Sequence, residues 1–225
     1  MAIARAALLG LLLLAAVVTG AGRNRAFAAD LDIDPIAQQT PEWCWAAAAE
    51  MVLSHYGFPN LNPGGNFQCG VVGAQGGPCA MNCGFCLGAG GTTQRIAVVI
   101  ATYARVAAAV TGFESDGFHP KARGIMSPGQ IIAAIDDDAP VLAGITPSGV
   151  PYPPGSGFSQ HAVVIVGYEG DESALDVIIN DPYPYPPSMI PYVHAGAQML
   201  QPGQYRVPYP MFVGVFHYGN SITFD

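Results

Sequence analysis

Charge is scarce in this chain. Only 11% of its 225 residues are charged, and eight Lys and Arg stand against sixteen Asp and Glu, a formal net charge of −8. So few cations cannot build the clustered basic face that a nucleic-acid partner requires. After the first twenty residues no apolar run approaches the roughly 20 residues needed to cross a bilayer. Glycine and proline are plentiful, at 28 and 20, but follow no three-residue repeat, so a collagen-like rod is excluded. No H-E-x-x-H or comparable pattern occurs, and no motif asks for a metal or other cofactor. Cysteines number only five. What the chain does have is apolar content: 51% hydrophobic residues, with 10 Phe and 10 Tyr. That excludes wholesale disorder and suits one loop-rich domain with a short appendage.

The appendage lies at the start. Met1–Gly20, MAIARAALLGLLLLAAVVTG, reads as a secretory signal: one positive charge, an apolar run from about Ala6, then small residues. Ala26-Phe27-Ala28 supplies a cleavage site, so residues 1–28 are expected to be removed and Ala29 to begin the mature chain. An uncleaved membrane anchor is the rival, but the run is short for a span and a cleavage site follows it. Removal takes away Arg5, Arg23 and Arg25 and no acid, leaving a mature chain still more acidic. The expectation is a secreted or periplasmic protein with no membrane attachment after signal cleavage.

The cysteines divide four and one. Cys69, Cys79, Cys83 and Cys86 crowd into a Gly-rich stretch, while Cys44 stands apart. In an oxidising compartment the four are expected to form two disulfides, with three connectivities open. A four-thiolate zinc site is the competing possibility, but only Cys83 and Cys86 have C-x-x-C spacing. Cys44 is then left as a free thiol.

QTPEWCWAAAAEMVLSHYG, residues 39–57, has the marks of a helix: Thr40 as cap, Pro41 at the first position, four alanines and a terminal Gly57. Cys44 falls in its first turn, where unpaired amides and the helix dipole favour an anionic sulfur. A buried structural cysteine would fit the same position. Two further helices are expected, from Thr93 to about Ala109 and from the Ser127-Pro128-Gly129-Gln130 capping box. The acidic run Asp136–Asp138 after the latter reads as a solvated helix end rather than a cation site.

His161–Tyr168, HAVVIVGY, and Leu175–Asn180, LDVIIN, flank a polar turn and predict a β-hairpin centred near Asp171. That register sets His161 opposite Asp181, where a carboxylate can fix the imidazole tautomer. Because one β-bulge would shift the register, Asn180 is the fallback orienter. His55, His119, His194 and His217 lack comparable settings. Met211–Tyr218 reads as a closing strand, and the tyrosines and prolines from Tyr183 to Tyr209 as packing and rigid loops.

Taken in order, QQTPEWCWAAAAEMVLSHYG, SPGQIIAAIDDDAPV and HAVVIVGY…VIINDP resemble the papain-like cysteine peptidases. The likeness is greatest to their compact bacterial branch, which includes bacteriocin-leader peptidases and plant-pathogen effector proteases. It runs discontinuously from Ile36 to Pro182. The resemblance implies an α+β, two-lobed fold, a helical lobe packed on an antiparallel half-barrel, spanning residues 29–225 as one peptidase domain. It implies Cys44 as nucleophile, His161 as general base and acid, Asp181 as orienter and Gln38, six residues before the cysteine, as oxyanion donor; Gln39 is one residue off that spacing. The Cys-rich insert at about residues 66–91 and the Tyr/Pro-rich tail are not part of the pattern. The function so implied is a secreted cysteine peptidase or amide hydrolase acting on a protein or peptide through a thioester. The alternative is a secreted binding protein that kept the fold without turnover, for which the insert and the tail's tyrosines would serve as contact surface.

Overall fold

The strand His161–Asp171 does not alternate because it is covered on both faces. In the computed structural model, which describes residues 28–88, 90–147 and 161–224, it is central to an antiparallel sheet. The strands are β1 (Ala28–Asp30), β2 (Lys121–Arg123), β3 (Val141–Ile145), β4 (His161–Asp171), β5 (Ala174–Asn180), β6 (Gln198–Gln201), β7 (Gln204–Pro208) and β8 (Asn220–Thr223). Their order is β2-β8-β3-β4-β5-β7-β6, with β1 also pairing with β4. Ala162, Val164 and Val166 face one core; Val163, Ile165 and Tyr168 face the other. A strand buried on both sides reads as a continuous apolar run.

The first core lies beneath the helical lobe, built from α1 (Cys44–His55), α2 (Phe67–Gly73), α3 (Pro78–Met81) and α4 (Thr93–Thr111). Ala46 to Ala49 are fully buried, and their small side chains let α1 lie close against β4. Trp45, Met51, Val52 and Leu53 are buried too, so α1 is enclosed on most of its surface rather than along one stripe. The second core lies on the opposite face, under α5 (Pro128–Asp136), α6 (Pro191–His194) and α7 (Tyr209–Gly214). The α+β expectation of a helical lobe on an antiparallel sheet holds.

The two later helices start where their caps lie. Thr92 caps α4, and Ser127 with Gln130 closes a capping box at the head of α5. Asp136–Asp138 are exposed, although Asp136 also accepts the Tyr168 hydroxyl at 2.7 Å.

Three expectations are corrected. The first helix begins at Cys44, with Trp43 as its cap residue, and not at Pro41. The Thr40 and Pro41 carbonyls, which a helix starting there would need, are both taken by the Gln38 side-chain amide at 2.8 Å. The Thr40 hydroxyl caps nothing and is buried without a partner. Second, Met211–Tyr218 is not a strand. Pro210 near the start of α7 suits a helix, and the closing strand is β8, which pairs with β3 and β2. Third, the hairpin turn is tighter than expected, since β4 runs to Asp171 and β5 starts at Ala174. Gly170 has φ +94°, and any Cβ there would lie 2.0 Å from the Ala174 carbonyl oxygen. Asp171 then closes the turn by accepting from Ser173 and Ala174.

Two disulfides tie the insert, Cys69 to Cys83 and Cys79 to Cys86; Cys44 is free. The zinc reading is thereby replaced by the disulfide one. The expected signal segment, apart from Ala28, lies outside the described residues. No helix among the described residues is long and apolar enough to cross a membrane.

Candidate active site

Cys44 opens α1, so its backbone N–H belongs to the first turn, whose amides find no carbonyl within the helix. The Cys44 side chain is half-buried and hydrogen-bonds His161 across the junction of the two lobes. His161 sits at the head of β4, opposite Ile145 of β3. Its Nε2 lies 2.6 Å from Asp181 Oδ1, which leaves Nδ1 as the nitrogen that meets the thiol.

Asp181 follows β5 directly, with its N–H bonded to the Gly203 carbonyl at 2.8 Å. A bulge between Ile165 and Gly167 shifts the ladder, and Val164 pairs with Asn180. Continuing that ladder sets Asp181 across from Val163, so His161 reaches it diagonally rather than directly. Both side chains still project to the same sheet face, since positions 161 and 163 share it. Asn180 projects to the other face, where its amide donates to the Ile33 carbonyl and accepts from Gln204. It is therefore not the orienter.

Asp181 is 2% exposed. Besides His161 it accepts the Tyr183 N–H at 2.7 Å and the Tyr192 hydroxyl at 2.6 Å, and Tyr185 also hydrogen-bonds it. Burial, and then the charge of Asp181, hold the Tyr192 and Tyr185 hydroxyls well above their ordinary value, so both remain donors. Sequence reading gave these tyrosines no role. The signal was present as an unusual Tyr density directly after Asp181-Pro182, but only folding shows where the rings point.

Burial alone would lower the His161 pKa. The charge and hydrogen bond of Asp181 outweigh it, with help from Cys44, and raise the imidazole to about 10. A protonated ring beside a thiol favours the thiolate–imidazolium pair.

Gln38 is buried, but its amide nitrogen is turned to the Thr40 and Pro41 carbonyls, and its Oε1 has no partner. Gln39 faces the helical lobe instead, where Asn66 donates to its side chain. His55 meets the Asp138 carbonyl and His194 that of Ser188, away from this junction.

Cys44 and His161 open onto a cleft of about 520 Å³, whose walls include Trp45, Gly90, Tyr183 and Met189. Gly90 is held to its size: a Cβ there would come within 2.7 Å of the Trp45 indole. Among the described residues no cluster of three or more His, Cys, Asp or Glu could hold a metal ion.

A free thiol, an imidazole and a buried carboxylate stand in series where a helix head meets a sheet, and the class of protein is a cysteine peptidase. A family model described as the Peptidase_C39 like family matches residues 30–191, more than half of the chain, and the chain belongs to that family. Its substrate is accordingly a protein or peptide. No curated protein matches the sequence. Among solved structures, the chain is similar to digestive procathepsin L 3 of the Tenebrio molitor larval midgut, with 13% identity and a TM-score of 0.44 over 89% of this chain and 70% of that one.

Proposed function

We propose that Cys44, His161 and Asp181 form a catalytic triad that cleaves amide bonds through a thioester intermediate. The observation that carries this is the unbroken series of hydrogen bonds: Cys44 to His161, and His161 Nε2 to Asp181 at 2.6 Å. Asp181 holds the ring so that Nδ1 faces the sulfur. The Cys44 thiolate adds to the scissile carbonyl, and the carbonyl oxygen becomes an oxyanion. As the intermediate collapses, the imidazolium gives its proton to the departing amine and the acyl group stays on sulfur. Water, deprotonated by the now neutral His161, then releases the acid and the free thiol.

The Cys44 N–H and the Gln38 amide are the proposed oxyanion donors. Each such donor is typically worth about 3–4 kcal/mol. Gln38 serves by exchanging one of its two bonds, to Thr40 or Pro41, for the oxyanion.

We further propose that residues 29–225 act as one exported peptidase domain after loss of the signal 1–28. Two disulfides in the insert support an oxidising destination.

Cys44→Ala tests the core of this reading. A thiol-directed epoxide should label the wild type at a single residue under mild reduction, and peptide hydrolysis should be measurable. Both should vanish in the variant. Undiminished hydrolysis by Cys44→Ala, or a wild type inert to the epoxide, overturns it.

A further inference from the structure

The Cys-rich insert lies outside the pattern that suggested the activity, yet it touches the approach to the nucleophile at two points. The first is Gln68, on α2 next to crosslinked Cys69 and fully buried. Its Oε1 accepts from the Gln39 N–H at 3.0 Å. Its Nε2 donates to the Ala37 carbonyl at 3.0 Å and to Glu50 Oε2 on α1 at 3.0 Å. One side chain thus holds the backbone immediately before and immediately after Gln38. The second point is Trp43, the residue before Cys44, whose indole N–H donates to the Cys86 carbonyl at 3.1 Å. Between these grips the Gln38 amide itself holds the carbonyls of Thr40 and Pro41.

The two side-chain amides of Gln68 and Gln38 and the Trp43 indole therefore link the insert to the head of α1. The hydrogen-bonding capacity of Gln68 is well used: its oxygen has one donor and its nitrogen two acceptors. Glu50, raised by burial and then lowered in part by this Gln68 bond, completes the bracket from the α1 side.

We propose that Gln68 is a positioning residue for amide hydrolysis: from the disulfide-bonded insert it sets the backbone on both sides of Gln38, and so the oxyanion side of the cleft. The proposal rests on the catalytic reading of Cys44, His161 and Gln38 given above. It separates two halves of the site. His161 and Asp181 lie on the sheet and activate the sulfur without the insert, whereas the segment 37–43 is held by the insert at Ala37, Gln39 and Trp43, in addition to the Gln38 N–H bond to the Pro182 carbonyl at 2.8 Å.

Two reagents report the halves separately. Iodoacetamide alkylates Cys44 at a rate set by the thiolate–imidazolium pair and needs no oxyanion donor. Acetyl-phenylalanyl-glycinal adds the Cys44 sulfur to its aldehyde carbon, and the resulting hemithioacetal oxygen takes the oxyanion position. Gln68→Met, of similar length but without hydrogen bonds, should alkylate within about twofold of the wild-type rate while losing about tenfold or more in aldehyde affinity. Gln68→Glu supplies a second variant. At neutral pH its carboxylate faces Glu50 and the Ala37 carbonyl, and aldehyde affinity should fall. Near about pH 4–5 the protonated Glu restores one of the two bonds that the Gln amide donates, and affinity relative to wild type at the same pH should recover in part.

Circular dichroism confirms folding of each variant. Aldehyde affinity unchanged in both variants, or loss of alkylation in step with affinity, overturns the proposal. A wild type that neither alkylates selectively at Cys44 nor binds the aldehyde overturns the catalytic reading, and this proposal with it.

Discussion

Asp181 is the residue whose surroundings most constrain the chemistry. Its carboxylate is buried, and its charge is offset by the imidazolium and by donors from Tyr183, Tyr192 and Tyr185. Removing the charge while keeping the shape, as in Asp181→Asn, takes away the largest influence that raises His161. Burial, which lowers the imidazole, is then opposed only by Cys44. The sign follows directly. In the wild type the imidazolium persists as pH rises until about 10, so activity should hold to that limit and fall beyond it. In Asp181→Asn the alkaline limb of the kcat/KM profile should move down by more than one pH unit, with a lower maximum. An unmoved limb would show that Asp181 does not govern the ring. The same linkage acts on stability. The raised His161 contributes in full below its ordinary value of 6.5 and ceases to contribute as pH climbs through about 10. Urea midpoints should therefore decline over that window in the wild type and less so in Asp181→Asn.

At the scale of elements, the insert shows how a segment with little apolar surface of its own becomes rigid enough to matter. Met81, Phe85 and Leu87 are exposed, so α3 and its neighbours bury little. The crosslinks make up for this by limiting the unfolded chain. Cys69 and Cys83 are 14 residues apart, a loop whose closure is worth about 3 kcal/mol in the chain-entropy account. Cys69→Ser with Cys83→Ser should lower the denaturant-extrapolated stability by about that amount, and amide hydrolysis should fall because Gln68 adjoins Cys69. A loss under about 0.5 kcal/mol would mean that the insert is held by packing instead. Elsewhere the elements follow local signals: the capping box of α5 and the Thr92 cap of α4 stand where the sequence puts them. The start of α1 does not, because Gln38 takes two carbonyls that the longer helix would have used.

At the scale of the whole molecule, the site exists because two layers meet. The helical lobe brings Cys44, the sheet brings His161 and Asp181, and 117 positions of sequence separate the sulfur from the imidazole. The paired cysteines of the insert and the free Cys44 need different surroundings: the former an oxidising medium, the latter shelter, which its half-buried place beside His161 provides. Export is the proposal that joins these facts. Expressed with its N-terminus intact in a bacterium that exports through the general secretory route, the protein should appear outside the cytoplasm with Ala29 as its first residue. N-terminal sequencing checks this, and a product beginning at Met1 would argue for the anchor reading.

Much of the site was legible in residue order. A thiol at a helix start, an imidazole at a strand head and an Asp-Pro closing the next strand are local patterns, readable because capping, turn and strand preferences act over a few neighbours. The hairpin brought His161 and Asp181 together even though its register differed from the expected one. The bulge at Ile165–Gly167 and the short turn moved the pairing, but diagonal neighbours on one face still meet. What the sequence determined alone was therefore which side chains are the candidates for the site, and the lobes that carry them. Only the tertiary structure decided which cysteines pair, that the tail tyrosines surround Asp181, that α1 begins at Cys44, and that Gln68 brackets Gln38. The Gln68 bracket joins segments 29 and 31 positions apart, whereas Gln38 to Thr40 and Pro41 and the tyrosines to Asp181 join nearer neighbours whose burial the surrounding lobes decide. Such contacts are settled by competition for buried hydrogen-bond partners, which no short stretch of sequence contains.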